Sequence, residues 1–307
     1  MPKQRIVSLL PACTEVVCAF GLEGRLVGRS HECDFPASVR RLPVCTAPKI
    51  KTESTSSDID RDVKALAQRA LSLYDVDAGQ LRALKPDVIL TQAQCAVCAV
   101  SLPEVEAAVS GWIGTQPRLL SWSPSRLAEF WTELARVGDQ LGVAGSAREL
   151  VRELKGRVAD VIVKSAQVTR RPSVACIEWL DPLMAAGNWV PELVELAGGT
   201  NLFGEPGKHS PWLDWNALRE RNPEVLVVMP CGLDLARTER EMTALTSRLG
   251  WSKLRAVQRK NVCVTDGNAF FNRPGPRLVE SLEILGEILQ PGYFSFGHEG
   301  RAWRRFK

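Results

Sequence analysis

Two short stretches of this chain concentrate soft metal-binding side chains. His31 and Cys33 stand in Ser30-His31-Glu32-Cys33-Asp34, and Cys95 and Cys98 bracket Cys95-Ala96-Val97-Cys98. Thiolate sulfur with imidazole nitrogen can complete a tetrahedral zinc site or hold an iron–sulfur cluster. One Cys-x-x-Cys is a moderate signal, and a His-x-Cys on a second loop strengthens it. Three readings fit the pattern. His31, Cys33, Cys95 and Cys98 could form a metal or cluster site. They could instead line the wall of a ligand pocket. They could also be plain packing, since Ala96, Val97, Ala99 and Val100 surround the second pair. Thiol–disulfide exchange fits less well, because such motifs cap a helix directly beside an aromatic or proline.

A second set is aromatic. Trp122, Trp179, Trp189, Trp212, Trp215, Phe270 and Phe271 are expected at strand ends or in loops. A single tryptophan is more often packed than functional. Several flat rings around one opening suit a large, planar, partly apolar ligand, at roughly 0.5–1.5 kcal/mol per ring contact. A third set is polar. Arg273 and Arg277 flank the stiff turn Pro274-Gly275-Pro276, and Arg273 is expected to reach polar groups of a ligand. Glu178 and Asp181 have the spacing of one short turn, too close for two-sided hydrolysis. Cys13, Gln92 and Cys231, each just beyond an expected strand, complete the candidate ligand-contacting set. No phosphate loop, nucleophile elbow or His-Glu-x-x-His is present. Nothing in the sequence looks like a nucleophile beside its base.

The elements that must position these residues occur twice. Leu84-Lys85-Pro86-Asp87-Val88-Ile89-Leu90-Thr91-Gln92 is echoed by Arg221-Asn222-Pro223-Glu224-Val225-Leu226-Val227-Val228-Met229. Each is a polar helix end, a proline, an apolar strand, and then a loop bearing Cys95 or Cys231. A second echo links Thr14–Gly28 with Val190–Gly204. Expected strands cover residues 5–10, 26–29, 87–91, 118–121, 173–177, 225–228 and 261–265. Helices are expected at residues 14–20, 59–73 with Asp58 as N-cap, 124–142, 190–197, 239–249 and 278–289. This alternation predicts an α/β fold of two Rossmann-like lobes with parallel sheets and a ligand cleft between them. A helical run over residues 146–163, about 27 Å long at ~1.5 Å per residue, is expected to join the lobes. The expected division is an N-terminal lobe at 1–143, a connecting helix at 144–167 and a C-terminal lobe at 168–307.

Composition bounds the remaining classes. The 307 residues are 45% apolar and 24% charged, the balance of a globular chain with room for two cores. The formal charge of +4 is scattered, apart from Arg301, Arg304, Arg305 and Lys307, which read as a solvated tail rather than a nucleic-acid contact. No run approaches the ~18 apolar residues of a membrane span. Met1–Arg5 leads straight into an apolar strand with no signal-peptide pattern. The chain as written is therefore expected in the cytoplasm, and in the periplasm only if a leader was removed. Nine cysteines in a reducing compartment argue against a disulfide scaffold. Cys18, Cys176 and Cys263 are expected to be buried within elements.

Ile6-Val7-Ser8-Leu9-Leu10-Pro11 with Thr14-Glu15, Gly21-Leu22 and Leu26-Val27-Gly28 resembles the opening of class III periplasmic-type binding proteins, particularly the cobalamin-binding branch. Pro86-Asp87-Val88-Ile89, Val190-Pro191-Glu192-Leu193 with Gly198-Gly199, and Arg273-Pro274-Gly275-Pro276-Arg277-Leu278-Val279-Glu280 continue the match over nearly the whole chain. The resemblance implies two α/β lobes joined by one long helix. It implies a monomeric protein that holds cobalamin or another corrinoid and, if exported, hands it to an ABC transporter. It implies ligand contacts at Trp122, Trp179, Trp189, Phe270 and Arg273. The His31–Cys33 and Cys95–Cys98 segments mark a leaderless, cysteine-containing subfamily. Such a protein could store or shuttle a corrinoid, with His31 or a thiolate as axial ligand to cobalt. The alternative is a cytoplasmic zinc or iron–sulfur protein.

Overall fold

The computed structural model describes residues 4–68, 73–92, 102–110 and 116–307. The chain divides into two compact units. Unit 1 comprises Met1–Ser54, Asp58–Pro124 and Trp131–Val151; unit 2 comprises Thr55–Ser57, Ser125–Phe130 and Arg152–Lys307.

The strands of unit 1 are β1 (Ile6–Ser8), β2 (Leu26–Arg29), β3 (Thr46–Pro48), β4 (Tyr74–Val76), β5 (Val88–Thr91) and β6 (Arg118–Ser121). Its main sheet runs β2-β1-β5-β6. All of its pairings are parallel. Strand β5 reads Val-Ile-Leu-Thr and is buried on both faces, as a central parallel strand must be. Val7, Leu9, Leu81, Ile89 and Val105 form the core beneath it. β3 and β4 make a separate antiparallel pair.

The strands of unit 2 are β7 (Ser173–Trp179), β8 (Met184–Ala185), β9 (Thr200–Asn201), β10 (Val225–Val228), β11 (Val262–Thr265) and β12 (Trp303–Arg305). They are ordered β12-β11-β10-β7-β8, with β9 also on β7. Strands β7, β10 and β11 are parallel. The expected parallel sheet is extended at its outer sides by the antiparallel strands β8 and β12.

The helices are α1 (Pro11–Ala19), α2 (Ser56–Gln68), α3 (Ala78–Leu84), α4 (Leu102–Val109), α5 (Leu127–Gln140), α6 (Ala144–Ser165), α7 (Val190–Leu196), α8 (Trp215–Arg221), α9 (Leu235–Glu241), α10 (Thr243–Thr246), α11 (Arg255–Gln258) and α12 (Leu278–Leu289). α6, at 22 residues, is the long helix the sequence leads one to expect, begun two residues earlier. α2 starts at Ser56, so Asp58 lies in its first turn and is not its cap. The single helix expected over 239–249 is broken at Met242 into α9 and α10. Among the described residues no helix is long and apolar enough to cross a membrane.

The internal echo is structural. α3 is capped by Asp77, whose carboxylate accepts the Gln80 N–H at 2.8 Å; α8 is capped by Asp214, which accepts the Asn216 and Ala217 N–H groups at 2.8 and 3.1 Å. Both helices end on a left-handed residue, Lys85 at φ 45° and Asn222 at φ 43°. Each then passes through proline, which cannot continue a helix, into a buried strand. The acid after each proline ties down the first strand of its own unit. Asp87 accepts the Arg5 N–H at 2.7 Å, and Glu224 accepts the Ser173 N–H at 3.2 Å.

The basic C-terminal segment is not a solvated tail. Trp303–Arg305 is the edge strand β12, with Trp303 buried, and Arg304 lies 3.4 Å from Glu239. One carboxylate of α12 fastens the approach to that strand. Glu287 Oε1 accepts the N–H groups of Phe296, Gly297 and His298, and its Oε2 accepts the Trp303 Nε1–H at 2.8 Å.

Candidate functional site

In a parallel sheet every strand points the same way, so the loops after the strands share one edge, where open α/β sheets take ligands. In unit 1, Cys13 lies in the first turn of α1 after β1, His31 and Cys33 follow β2, Gln92 follows β5 and Trp122 follows β6. The strand order reverses between β1 and β5, which sets Cys13 and Gln92 beside the switch point. In unit 2, Glu178 and Trp179 are the last residues of β7 itself, Cys231 follows β10, and Phe270 and Arg273 follow β11. Cys95 and Cys98 lie outside the described residues.

The two donors in the loop after β2 have separate neighbours. His31 Nδ1 is 2.7 Å from the Thr46 hydroxyl of β3, and its ring centroid is 5.7 Å from that of Tyr74 on β4. Cys33 is buried against α1 and β1, its sulfur 3.0 Å from the Thr14 hydroxyl and its thiol donating to the Ser8 carbonyl at 3.7 Å. Arg29 holds the loop from behind, donating to the carbonyls of Ser30, His31 and Cys33 at 2.9, 3.3 and 3.2 Å. Burial lowers the His31 pKa, the Thr46 contact opposes this, and the Arg29 cation lowers it further; the net displacement is below the ordinary value, favouring neutral imidazole.

Five of the other thiols are held protonated. Burial raises Cys13 well above the usual thiol range, with Cys33 and Glu133 adding to it and Arg136 opposing. Burial pushes Cys45 to about 11 and Cys263 to about 12, and raises Cys176 as well. Cys18 is only half-buried, contrary to expectation, and is pushed to about 12. Neutral thiols are poor ligands for zinc or iron. Among the described residues no group of three or more His, Cys, Asp or Glu could hold a metal ion. Of the expected site at His31, Cys33, Cys95 and Cys98, two members lie outside the described residues, and the other two have separate partners.

Unit 2 builds its edge from interlocked loops. The Cys231 N–H donates to the Glu178 carbonyl at 3.1 Å, and the Glu178 carboxylate accepts the Ser210 hydroxyl at 2.8 Å. After β11, Gly267 opens a short helical turn of π type, Gly267–Phe271, capped by Asp266 accepting the Ala269 N–H at 2.7 Å. A Cβ at Gly267 would stand 2.2 Å from the Pro230 carbonyl oxygen, so only glycine lets this turn pack on the loop after β10. Burial raises the Asp266 pKa, and Asp234 adds to this; the Ala269 N–H, Arg273 and Arg277 only partly offset it. Arg273 is 7% exposed and donates to Asn268 at 3.0 Å. The Arg277 guanidinium lies 5.5 Å from the Phe270 ring centre.

The aromatic set is more deeply packed than its loop positions suggest. Trp122 and Phe271 are each 1% exposed, and Trp189 and Phe270 are each 7% exposed. Trp189 donates from Nε1 to the Phe271 carbonyl at 3.0 Å. Trp215 is in α8, stacked with Trp251 at 6.5 Å. Trp179 is half-buried and Trp212 is 59% exposed. The residues that sequence reasoning passed over are Thr46 and Arg29, because neither belongs to a recognised ligand motif.

A family model fixes the family, and relatives and solved structures accompany it. A periplasmic binding protein family model matches residues 6–269. A vitamin B12-binding protein of Vibrio cholerae is 22% identical over 94% of this chain and 90% of its own length. An uncharacterized ABC transporter substrate-binding lipoprotein of Bacillus subtilis is 21% identical over 95% of this chain and 81% of its length. Among solved structures, a periplasmic heme-binding protein from Pseudomonas aeruginosa superposes with a TM-score of 0.74 at 20% identity, covering 99% of this chain and 98% of that one. The motifs at Ile6–Pro11 and Arg273–Glu280 thus lie in a chain that belongs to the periplasmic binding protein family, of class III.

Proposed function

We propose that this chain binds cobalamin or another corrinoid, as a ligand-binding protein and not an enzyme. The observation that carries the reading is that the described ligand-contact candidates, apart from Trp189, which follows the antiparallel β8, fall at or next to the carboxyl edge of their own unit's parallel strands. The B12-binding relative supports the corrinoid class. His31, a neutral imidazole at that edge, supports a ligand with a metal centre. Half-buried Trp179 and exposed Trp212 are the rings best placed to meet a flat macrocycle, and Arg273 to meet its amide or carboxylate groups. A cytoplasmic member would store or shuttle the ligand; an exported one would deliver it to an ABC transporter. The cytoplasmic reading is supported by the free thiols of Cys13, Cys18, Cys45, Cys176 and Cys263. Recovery of the native protein outside the cytoplasm on cell fractionation would overturn it.

Titration with aquocobalamin, hemin and a ferric hydroxamate, followed by absorbance and calorimetry, tests the ligand class. Saturable one-to-one binding is expected, tightest for the corrinoid. Preference for hemin would keep the tetrapyrrole class and replace the corrinoid. Preference for the hydroxamate, or no binding of either macrocycle, would overturn the reading.

A further inference from the structure

We propose that Thr46 is a positioning residue: it fixes His31 as the Nδ1–H tautomer and so reserves the Nε2 lone pair for the metal of a bound tetrapyrrole. The inference rests on the reading above that such a ligand is carried.

The argument is an accounting of one hydroxyl. Thr46 opens β3 and is 5% exposed. Its Oγ1 accepts the His31 backbone N–H at 3.1 Å and lies 2.7 Å from His31 Nδ1. The same hydroxyl donates to Ser30 Oγ at 3.2 Å, and Ser30 Oγ accepts the Glu32 N–H at 3.2 Å. A threonine has one hydroxyl proton. In the proposed relay that proton is directed to Ser30, Thr46 offers His31 only lone pairs, and Nδ1 brings the hydrogen. Nε2 is then unprotonated. That atom is buried and has no hydrogen-bond partner among the described residues.

The opposite tautomer would leave a buried N–H with no acceptor, which is the rarer and costlier arrangement. Either way the group at Nε2 is uncompensated, and a lone pair is the cheaper one to leave so. Ser30 is 2% exposed, so water does not average the relay. Arg29 adds the second restraint, its three carbonyl contacts keeping the loop in register with β3. An imidazole whose one nitrogen is fixed by a second group, and whose other nitrogen is bare, is arranged as a transition-metal donor. Neither Thr46 nor Ser30 touches the ligand in this scheme; they act through His31.

Two readouts test it. The chain has three histidines, so nitrogen-15 histidine spectra of the ligand-free protein resolve the tautomer of each. Wild type is expected as Nδ1–H at His31, Thr46→Ser the same, and Thr46→Val shifted toward Nε2–H or a mixture. Absorbance titration with diaquocobinamide, a corrinoid with both axial positions open, reads the donor. Wild type and Thr46→Ser should give an imidazole-type band shift, His31→Ala should lose it, and Thr46→Val should bind about tenfold or more weaker. A wild-type Nε2–H signal, or a Thr46→Val protein with unchanged tautomer and affinity, would overturn the proposal. Cobinamide binding whose spectrum ignores His31→Ala would overturn the donor role while the corrinoid reading stands. No binding of cobinamide or hemin, with the tautomer as expected, would sink the corrinoid reading and the donor role together, leaving the Thr46 relay as a structural device.

Discussion

Each unit turns the same corner, and the two corners carry different electrostatic loads. In unit 1 the acid after proline is Asp87, bound to the Arg5 N–H at 2.7 Å. In unit 2 it is Glu224, one methylene longer, bound to the Ser173 N–H and also to Arg170, to Arg259 at 3.0 Å and near Arg255 at 3.7 Å. Burial raises the Glu224 pKa, but the Ser173 N–H and Arg170 more than offset it, leaving it below the usual carboxylate range. The backbone geometry of the corner is thus independent of the charge around it. A left-handed helix end and a proline make the turn; the acid only fastens it.

The sharpest contrast lies at the sheet edges, since among the described residues only unit 2 closes its main sheet with an antiparallel strand tied to a helix by a buried acid. Glu287→Ala would strand the donors of Phe296, Gly297, His298 and Trp303, of which the last two are buried, and should cost about 2–6 kcal/mol by denaturant unfolding, at ~1–3 kcal/mol per buried orphan. A loss near zero would mean that β12 holds without its clasp. At the shared corner, Glu224→Gln should cost about 1–2 kcal/mol and Asp87→Asn about half that, because exposed arginines return only part of their Coulomb energy. Equal losses would erase the distinction drawn above.

Acid should reach the two units in different pH windows. A neutral, half-buried His31 has a folded pKa below its unfolded 6.5, so its contribution is complete above that value and declines as pH falls through the lower folded one. For Glu283, burial raises the pKa, but the His298 hydrogen bond and Arg157 more than offset it. Glu224 and Glu283 therefore support unit 2 fully above their unfolded 4.5 and lose that support at lower pH. Hydrogen exchange across this range should loosen the β2–β3 region first, and His31→Asn should remove that early step. The smallest effect concerns thiol reactivity. Half-buried Cys231 should alkylate before Cys13, Cys176 and Cys263 in a timed mass-spectrometric assay; the reverse order would contradict their burial.

Much of the scaffold was legible because it depends on local chemistry. Val88–Thr91 and Val225–Val228 are apolar throughout and preceded by proline, which leaves a buried strand as the only comfortable state. α6 declared itself by length and by the lack of proline. β12 was illegible because Arg304 and Arg305 read as charge, whereas the strand is defined by Trp303 reaching Glu287, which no local pattern encodes. The aromatic positions were legible and their burial was not, since a residue at a strand end can face either the edge or the core. His31 and Cys33 illustrate the same limit. Proximity in sequence set the expectation of one shared site, while the intervening turn gave the imidazole to β3 and the sulfur to α1.

The clasp between Glu287 and the segment leading to β12 also bears on synthesis. Strands β7, β10 and β11 can align as soon as they are translated, but the outer side of β11 stays unpaired until residues 303–305 have cleared the ribosome. During that interval an open row of amides and carbonyls is available to any neighbouring nascent strand. The arginines that answer β11 from β12 therefore end a period of vulnerability to mispairing.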